Sequence, residues 1–227
     1  MLGQIARILS LDHDGEQFRA VGERDPVIGA LQRIHPGQRP VLFHSPYEGA
    51  AWSIISARRR AAQAARVREA IAERFGARFE LAGSRVHAFP QPAALRELPD
   101  DTPGLNPEKV SRLRAIAGAA LEGDLDAGHL QALGPDRAWV ELQRLRGLGP
   151  FYAGLVVLRA TGFADAMLPM TEPKVLARAA QLYDLVQPPT LDQFAAMAQA
   201  WRPFRTWATV LIRLAGERAA RPAVKGR

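Results

Sequence analysis

Residues 145–154 read LRGLGPFYAG, and this stretch decides how the chain is read. A helical pattern runs through WVELQRL into the glycines and resumes in FYAGLVVLRA, which places Gly147 and Gly149 in a tight turn between two helices. Both glycines can take positive φ and leave their backbone uncovered. At the start of the second helix the free N–H groups point outward, where the helix dipole favours an anion. The turn therefore has two readings, the plain connection of an αα-hairpin or a clamp for a phosphate. The rest of the chain discriminates between them.

With 227 residues, 48% of them hydrophobic, the chain is long enough for one large domain or two small ones with a sizeable buried core. Arg159 interrupts even AGLVVLRATGF, so no apolar run reaches the roughly 18 residues of a membrane span. The N-terminal MLGQIARILSLDHDGEQ turns acidic too early for a signal peptide. The expectation is a soluble, cytoplasmic protein without membrane association. A formal charge of +7 and a pI near 10.6 favour a polyanionic partner. Lys109, Lys174 and Lys225 are the only lysines, so arginine carries most of the positive charge. Arginine forks onto phosphates but cannot form a Schiff base. Cysteine is absent, which excludes disulfides, thiolate zinc sites and cysteine-held iron–sulfur clusters. The histidines at 13, 35, 44, 87 and 129 form no i, i+3 or i, i+4 pair, and no metal site is expected.

Helical patterns dominate. Residues 45–76, from SPYEG to ERFG, begin with a Ser-Pro start signal and are too long for one uncapped helix, so a break is expected near SARRR. Residues 77–104 are rich in proline and glycine and read as loop with a short helix around PAALREL. NPEKVSRLRAIAGAALEG is an amphipathic helix with Asn106 as cap and Pro107 in its first turn. Further helices follow in GPDRAWVELQRL, EPKVLARAAQLYDL and TLDQFAAMAQAWRPFRTWATVLIRLAGERA. Only QIARILSLD and ARFEL have a strand-like composition. Trp52, Trp139, Trp201 and Trp207 are expected in the core. There is no internal repeat, and the tail, 220–227, is expected to be disordered.

In order and spacing, four segments resemble the helix-hairpin-helix (HhH-GPD) DNA glycosylase superfamily, and most closely its DNA-3-methyladenine glycosylase II branch. They are SPYEGAAWSIIS, LNPEKVSRLRAIAGAALEGDLD, LRGLGPFYAGLVVLRATGFADAMLP and RPFRTWATVLIRLA. The resemblance implies an all-α fold with few or no strands, made of two helical domains with the lesion pocket in a central cleft. The domain carrying the hairpin would span 42–163. The other would combine 1–41 with 164–219, and, with IARILSLDHDGEQFRAVGERDPVIGAL resembling the helical lead-in to the hairpin domain, the β-rich N-terminal domain of some members is not expected.

On this resemblance Gly147, Leu148 and Gly149 form the hairpin that presents backbone N–H groups to a phosphate of double-stranded DNA, often with a monovalent cation held by turn carbonyls. Such a contact positions the DNA and reads no sequence. These enzymes flip a damaged base into a pocket. A carboxylate then stabilises the positive charge that develops on the sugar as the N-glycosidic bond breaks. The family's aspartate is absent from DAMLPMTEPKVLAR. Counting from Pro169 puts Thr171 in its place, whereas matching Val175 and Leu176 puts Glu172 there, and Glu172 is the preferred candidate. As helix-start residues, Thr171 would cap, Pro173 would occupy the first turn and Glu172 would complement the dipole.

Phe151 stands where lyase members carry a lysine nucleophile, which implies a monofunctional enzyme. The family's paired glutamines are replaced by Ala57 and Arg58, and Arg58 and Arg59 read either as DNA contacts or as a solvated helix end. Phe151, Tyr152, Leu155 and Arg213 fall on substrate-pocket positions, with core packing as the other reading of Phe151. Arg213 replaces an aromatic and is unfavourable beside a cationic alkylated base. A monomeric DNA glycosylase is thus expected. Its alternatives are a DNA-binding protein that has lost catalysis and a helical interaction domain unrelated to DNA.

Overall fold

Asp25, Ser45 and Asn106 each stand before a proline, and each starts a helix in the computed structural model, which describes residues 2–168 and 172–219. Asp25 Oδ1 accepts from the N–H groups of Val27 and Ile28 at 3.0 and 3.1 Å. Ser45 Oγ accepts from Glu48 at 3.2 Å, and Asn106 Oδ1 from Lys109 at 2.8 Å. The side chain satisfies an orphan donor, while proline fixes φ where its missing N–H costs nothing.

In chain order the helices are α1 (Leu2–Ile8), α2 (Gly15–Arg24), α3 (Pro26–Ile34), α4 (Pro46–Ser56) and α5 (Ala61–Phe75). Strands β1 (Arg78–Leu81) and β2 (Ser84–His87) form an antiparallel ribbon, with Phe79 opposite Val86. Next come α6 (Pro92–Arg96), α7 (Pro107–Glu122), α8 (Ala127–Leu133), α9 (Pro135–Leu142) and α10 (Pro150–Val156), which runs on into a π-helical turn over Val157–Thr161. The chain continues with α11 (Pro173–Leu182), α12 (Leu191–Met197), a short 3-10 turn over Ala198–Trp201, and α13 (Arg205–Ala219). The architecture is thus mostly helical. ARFEL contributes β1, but QIARILSLD folds mainly as α1 rather than as a strand, and the expected loop over 77–104 contains the ribbon as well as α6. Thr171 and the tail 220–227 lie outside the described residues. Among the described residues no helix is long and apolar enough to cross a membrane.

Two units are distinguished. One is Phe43–Thr161, and the other joins the segment up to Leu42 with the segment from Gly162 onward. In the first, α4 is the central helix, with Tyr47, Ala50, Ala51, Ile54 and Ile55 buried. It packs on α5, α7 and α10, and α7 turns Val110, Leu113, Ile116 and Ala117 inward. α4 breaks after Ser56, within the expected SARRR.

In the second unit, Phe18, Ile28, Leu31, Phe194, Trp201, Phe204, Trp207 and Leu211 build the core between α2, α3, α12 and α13. Asp25 is a buried polar node in it. Besides capping α3, its Oδ2 accepts from Tyr183 Oη and Trp201 Nε1, both at 2.6 Å. Burial, and then the Asp25 carboxylate, push the Tyr183 phenol well above its ordinary range. Of the four tryptophans, Trp201 and Trp207 are core, whereas Trp52 and Trp139 are only half-buried.

Candidate functional site

The hairpin is stepped down from α9 by short-range bonds, from Gln143 N–H to Val140 O, Arg144 N–H to Glu141 O and Leu145 N–H to Leu142 O. A four-residue turn then closes as Leu148 N–H donates to Leu145 O at 3.0 Å. Gly147 is its third residue, with φ +98°, the left-handed position that favours glycine. A Cβ there would lie 2.8 Å from both Arg112 Cδ and Ile54 Cδ1. Steric space and φ both demand glycine. Leu148 is 1% exposed and anchors the turn in the core. Trp139 Nε1 donates to Pro150 O at 2.9 Å and ties α9 to the start of α10.

Gly149 differs from expectation. Its φ is −69° and its ψ 178°, ordinary extended backbone at the N-cap of α10, and a Cβ there would meet nothing within 4 Å. Its contribution is openness rather than a left-handed turn. Leu148 also differs, because its N–H is used inside the turn. The N–H groups of Gly147 and Gly149 have no acceptor among the described residues.

A second turn follows α4, with Arg59 N–H donating to Ser56 O at 3.0 Å. Arg58 holds φ +56° in the glycine-favouring place and is exposed. Such strain in a non-glycine residue costs on the order of 1–3 kcal/mol and gathers at functional positions. Burial raises the Tyr152 phenol pKa and the nearby Arg58 cation opposes that shift. Lys109 closes the end of α4, its Nζ donating to Ile55 O at 2.9 Å and Ala57 O at 2.8 Å. A cation there complements the helix dipole. Burial, followed by the charges of Arg59 and Arg112, lowers its pKa to about 8.

The carboxylate lies in the other unit. The approach to α11 is fixed on the start of α13 by Arg205, whose Nε and Nη2 reach Asp165 Oδ1 and Oδ2 at 2.8 and 3.0 Å, a bidentate fork. Thr206 adds two bonds, its Oγ1 accepting from Ala166 N–H and its own N–H donating to Ala164 O, both at 2.9 Å. Glu172 is the N-cap of α11, its carbonyl accepting from Val175 N–H at 2.8 Å, and Pro173 opens the helix. The Glu172 side chain makes no capping bond. Its Oε2 lies instead 3.2 Å from Arg213 Nε, in a pair that is 28% exposed on the acid and 41% on the arginine.

No family model matches the chain. It is 24% identical over 205 residues to the DNA-3-methyladenine glycosylase of Bacillus subtilis (strain 168), covering 89% of this chain and 67% of that relative. The 3-methyladenine DNA-glycosylase from Archaeoglobus fulgidus superposes with a TM-score of 0.79 at 23% identity, over 94% of this chain and 73% of that one. The Clostridium acetobutylicum 8-oxoguanine glycosylase/lyase, in complex with double-stranded DNA containing cytosine opposite 8-oxoG, superposes with a TM-score of 0.74 at 21% identity, over 94% and 74%. This chain has the helix-hairpin-helix DNA glycosylase fold.

Within that fold the expected site residues fall into two groups. Gly147, Leu148, Gly149, Arg58, Arg59, Phe151, Tyr152 and Leu155 belong to the hairpin unit, and Glu172 and Arg213 to the other. Phe151 is not core. It is 47% exposed and meets Tyr152 edge-on at 5.3 Å between ring centroids. Leu155 is half-buried on α10. Sequence reading missed Lys109 and Arg112. Their signal was there, two cations at i, i+3 on one helix face just after an Asn-Pro start. The Glu172–Arg213 pair had no such signal, because its partners come from separate helices.

Proposed function

We propose that the protein is a monofunctional DNA glycosylase of base excision repair, hydrolysing the N-glycosidic bond of a damaged base flipped out of double-stranded DNA. The observation that carries this reading is a hairpin with uncovered amides in the same chain as a partly exposed carboxylate at the head of the helix after it. Its curated relative in Bacillus subtilis bears a DNA glycosylase name, and the positive charge suits DNA.

In this mechanism the hairpin amides and the arginines beside them hold the phosphate backbone while the base is extruded. Bond cleavage leaves positive charge on the sugar, and Glu172 stabilises it electrostatically. Water then attacks C1′, giving free base and an abasic site. Phe151 offers no amine at the lyase position, so no Schiff base forms there and the strand is left intact. Phe151, Tyr152 and Leu155 supply the apolar and aromatic surface on which a flipped base rests. A monovalent cation at the turn would be held by backbone carbonyls, since residues 145–149 carry no acidic side chain. Its effect would be to stiffen the turn. The protein acts inside the cell as a monomer.

The ion pair bears on substrate. Arg213 opposes a cationic alkylated base and favours a neutral one, whose departure leaves negative charge on the base. The same pair favours a second reading, a non-catalytic DNA-binding protein, because the arginine offsets part of the carboxylate's charge. Single-turnover base release from duplexes carrying alkylated, oxidised or deaminated bases separates the two readings. Release from at least one supports a glycosylase, and binding with no release from any supports the alternative.

A further inference from the structure

Three cations, Arg59, Lys109 and Arg112, meet beside the hairpin. Arg59 and Arg112 both act on Lys109, while the stem of Arg112 lies against the open side of Gly147. Arg112 Nη2 pairs with Glu108, and Arg58 lies on the Tyr152 side of the same region. Arg59 Nη1 and Arg112 Nε are both out of water with no hydrogen-bond acceptor among the described residues. Two of the three Lys109 donors are held by the carbonyls of Ile55 and Ala57. Like charges and unmet donors held this close destabilise the free protein unless something negative joins them.

We propose that Arg59, Lys109 and Arg112 form an anion site next to the hairpin turn that takes a phosphodiester of the DNA strand, in addition to the hairpin amides. The two arginine side chains keep part of their surface in water, so an anion can reach them. Guanidinium N–H groups fork onto the two non-bridging oxygens of a phosphate. The Lys109 ammonium, already oriented, adds a point charge. Such a site explains why the lysine is placed where its ammonium form is disfavoured in the free protein, since a bound phosphate restores it. It also explains why glycine at 147 and arginine at 112 are joined, because any side chain at 147 would displace the Arg112 stem. The inference rests on the DNA-binding part of the reading above and not on catalysis.

Two measurements on the full chain test it. The first is the salt dependence of binding to an undamaged duplex, with Arg59→Gln, Arg112→Gln and, as control, Arg85→Gln on the exposed ribbon. Each cluster variant should weaken binding to any sequence and lower the slope of log K against log salt, by up to about 0.9 when both arginines are replaced together, with Arg85→Gln unchanged. The second uses 13C-labelled lysine, practical because the chain has three lysines. The Lys109 titration midpoint, near 8 in the free protein, should rise by about one unit or more when the duplex binds, and should rise less in Arg112→Gln. Inorganic phosphate is a further arm of the same titration, with sodium chloride at equal ionic strength as its control. A midpoint moved by phosphate but not by duplex, or slopes unchanged in both folded cluster variants, overturns the proposal. A chain that releases no damaged base yet passes both tests keeps the site and loses the glycosylase reading. One that releases base and fails them keeps the reading and loses the site.

Discussion

The hairpin turn and the head of α11 are both proposed as places where DNA meets the protein, but they are built by opposite means. The hairpin works through backbone. Gly147 at φ +98°, the internal Leu148 bond and the open Gly149 define it, and all three lie within three consecutive residues. The head of α11 works through side chains gathered from afar. Asp165 meets Arg205, and Glu172 meets Arg213, each pair roughly 40 residues apart along the chain, about eleven turns' worth of helix. The hairpin uses main-chain groups of consecutive residues, whereas the head of α11 depends on side-chain partners brought together by the tertiary fold.

Substitutions break the contrast in graded ways. Glu172→Gln has the largest expected effect. Excision should fall by roughly a hundredfold or more, the scale of an electrostatic stabiliser of a transition state. DNA affinity and fold should persist, since the amide keeps the shape and the dipole contribution lost is about 0.3–1 kcal/mol. A Glu172→Gln protein as active as wild type in single turnover would move the charge-stabilising role elsewhere. Gly147→Val comes next. Left-handed φ and the approach to Arg112 and Ile54 should cost about 2 kcal/mol of stability, read from denaturant unfolding. A value near zero would mean the turn can be rebuilt.

Arg213→Gln is smaller. Freeing the carboxylate and removing a cation should raise the excision of a cationic alkylated base, relative to a neutral one, by about tenfold. A fall in that ratio would contradict the repulsive role assigned to the arginine. Gly149→Ala should be the mildest for the fold, within about 0.5 kcal/mol, since its φ suits any residue and the space is open. Its loss of DNA affinity would then report the uncovered backbone alone. If Gly149→Ala instead unfolds the protein, the division between a structural Gly147 and an exposed Gly149 fails.

The helices were legible wherever local signals agreed. Asn106-Pro107 and Ser45-Pro46 marked two starts, and the break at SARRR was visible because one helix of that length lacks internal caps. QIARILSLD misled because short apolar runs have no decisive period, and α1 has no buried residue to enforce one. At the hairpin, G-x-G announced the turn but not which glycine is left-handed. That is set by the Leu145–Leu148 bond and by the crowding of Ile54 and Arg112 from two other helices. Asp25 precedes Pro26 and caps α3, but nothing local marks it as the acceptor of Tyr183 and Trp201, whose positions are far along the chain. At the head of α11, the Thr-Glu-Pro run was legible as a helix start, with Glu172 at the N-cap, while the Arg213 partner required the tertiary fold.

The most direct test of the account is base release by the wild-type protein. A set of duplexes, each with one alkylated, oxidised or deaminated base, is incubated with excess protein in single turnover. Free base and backbone breaks are scored before and after alkali, with a parallel sample treated with borohydride. The account predicts free base from at least one neutral lesion, strand breaks only after alkali, and no trapped adduct, because the proposed reading places Phe151 where lyases carry an amine. Tight, salt-dependent binding to every duplex with no base released from any would contradict it, and would leave a hairpin fold that holds DNA without cutting the glycosidic bond.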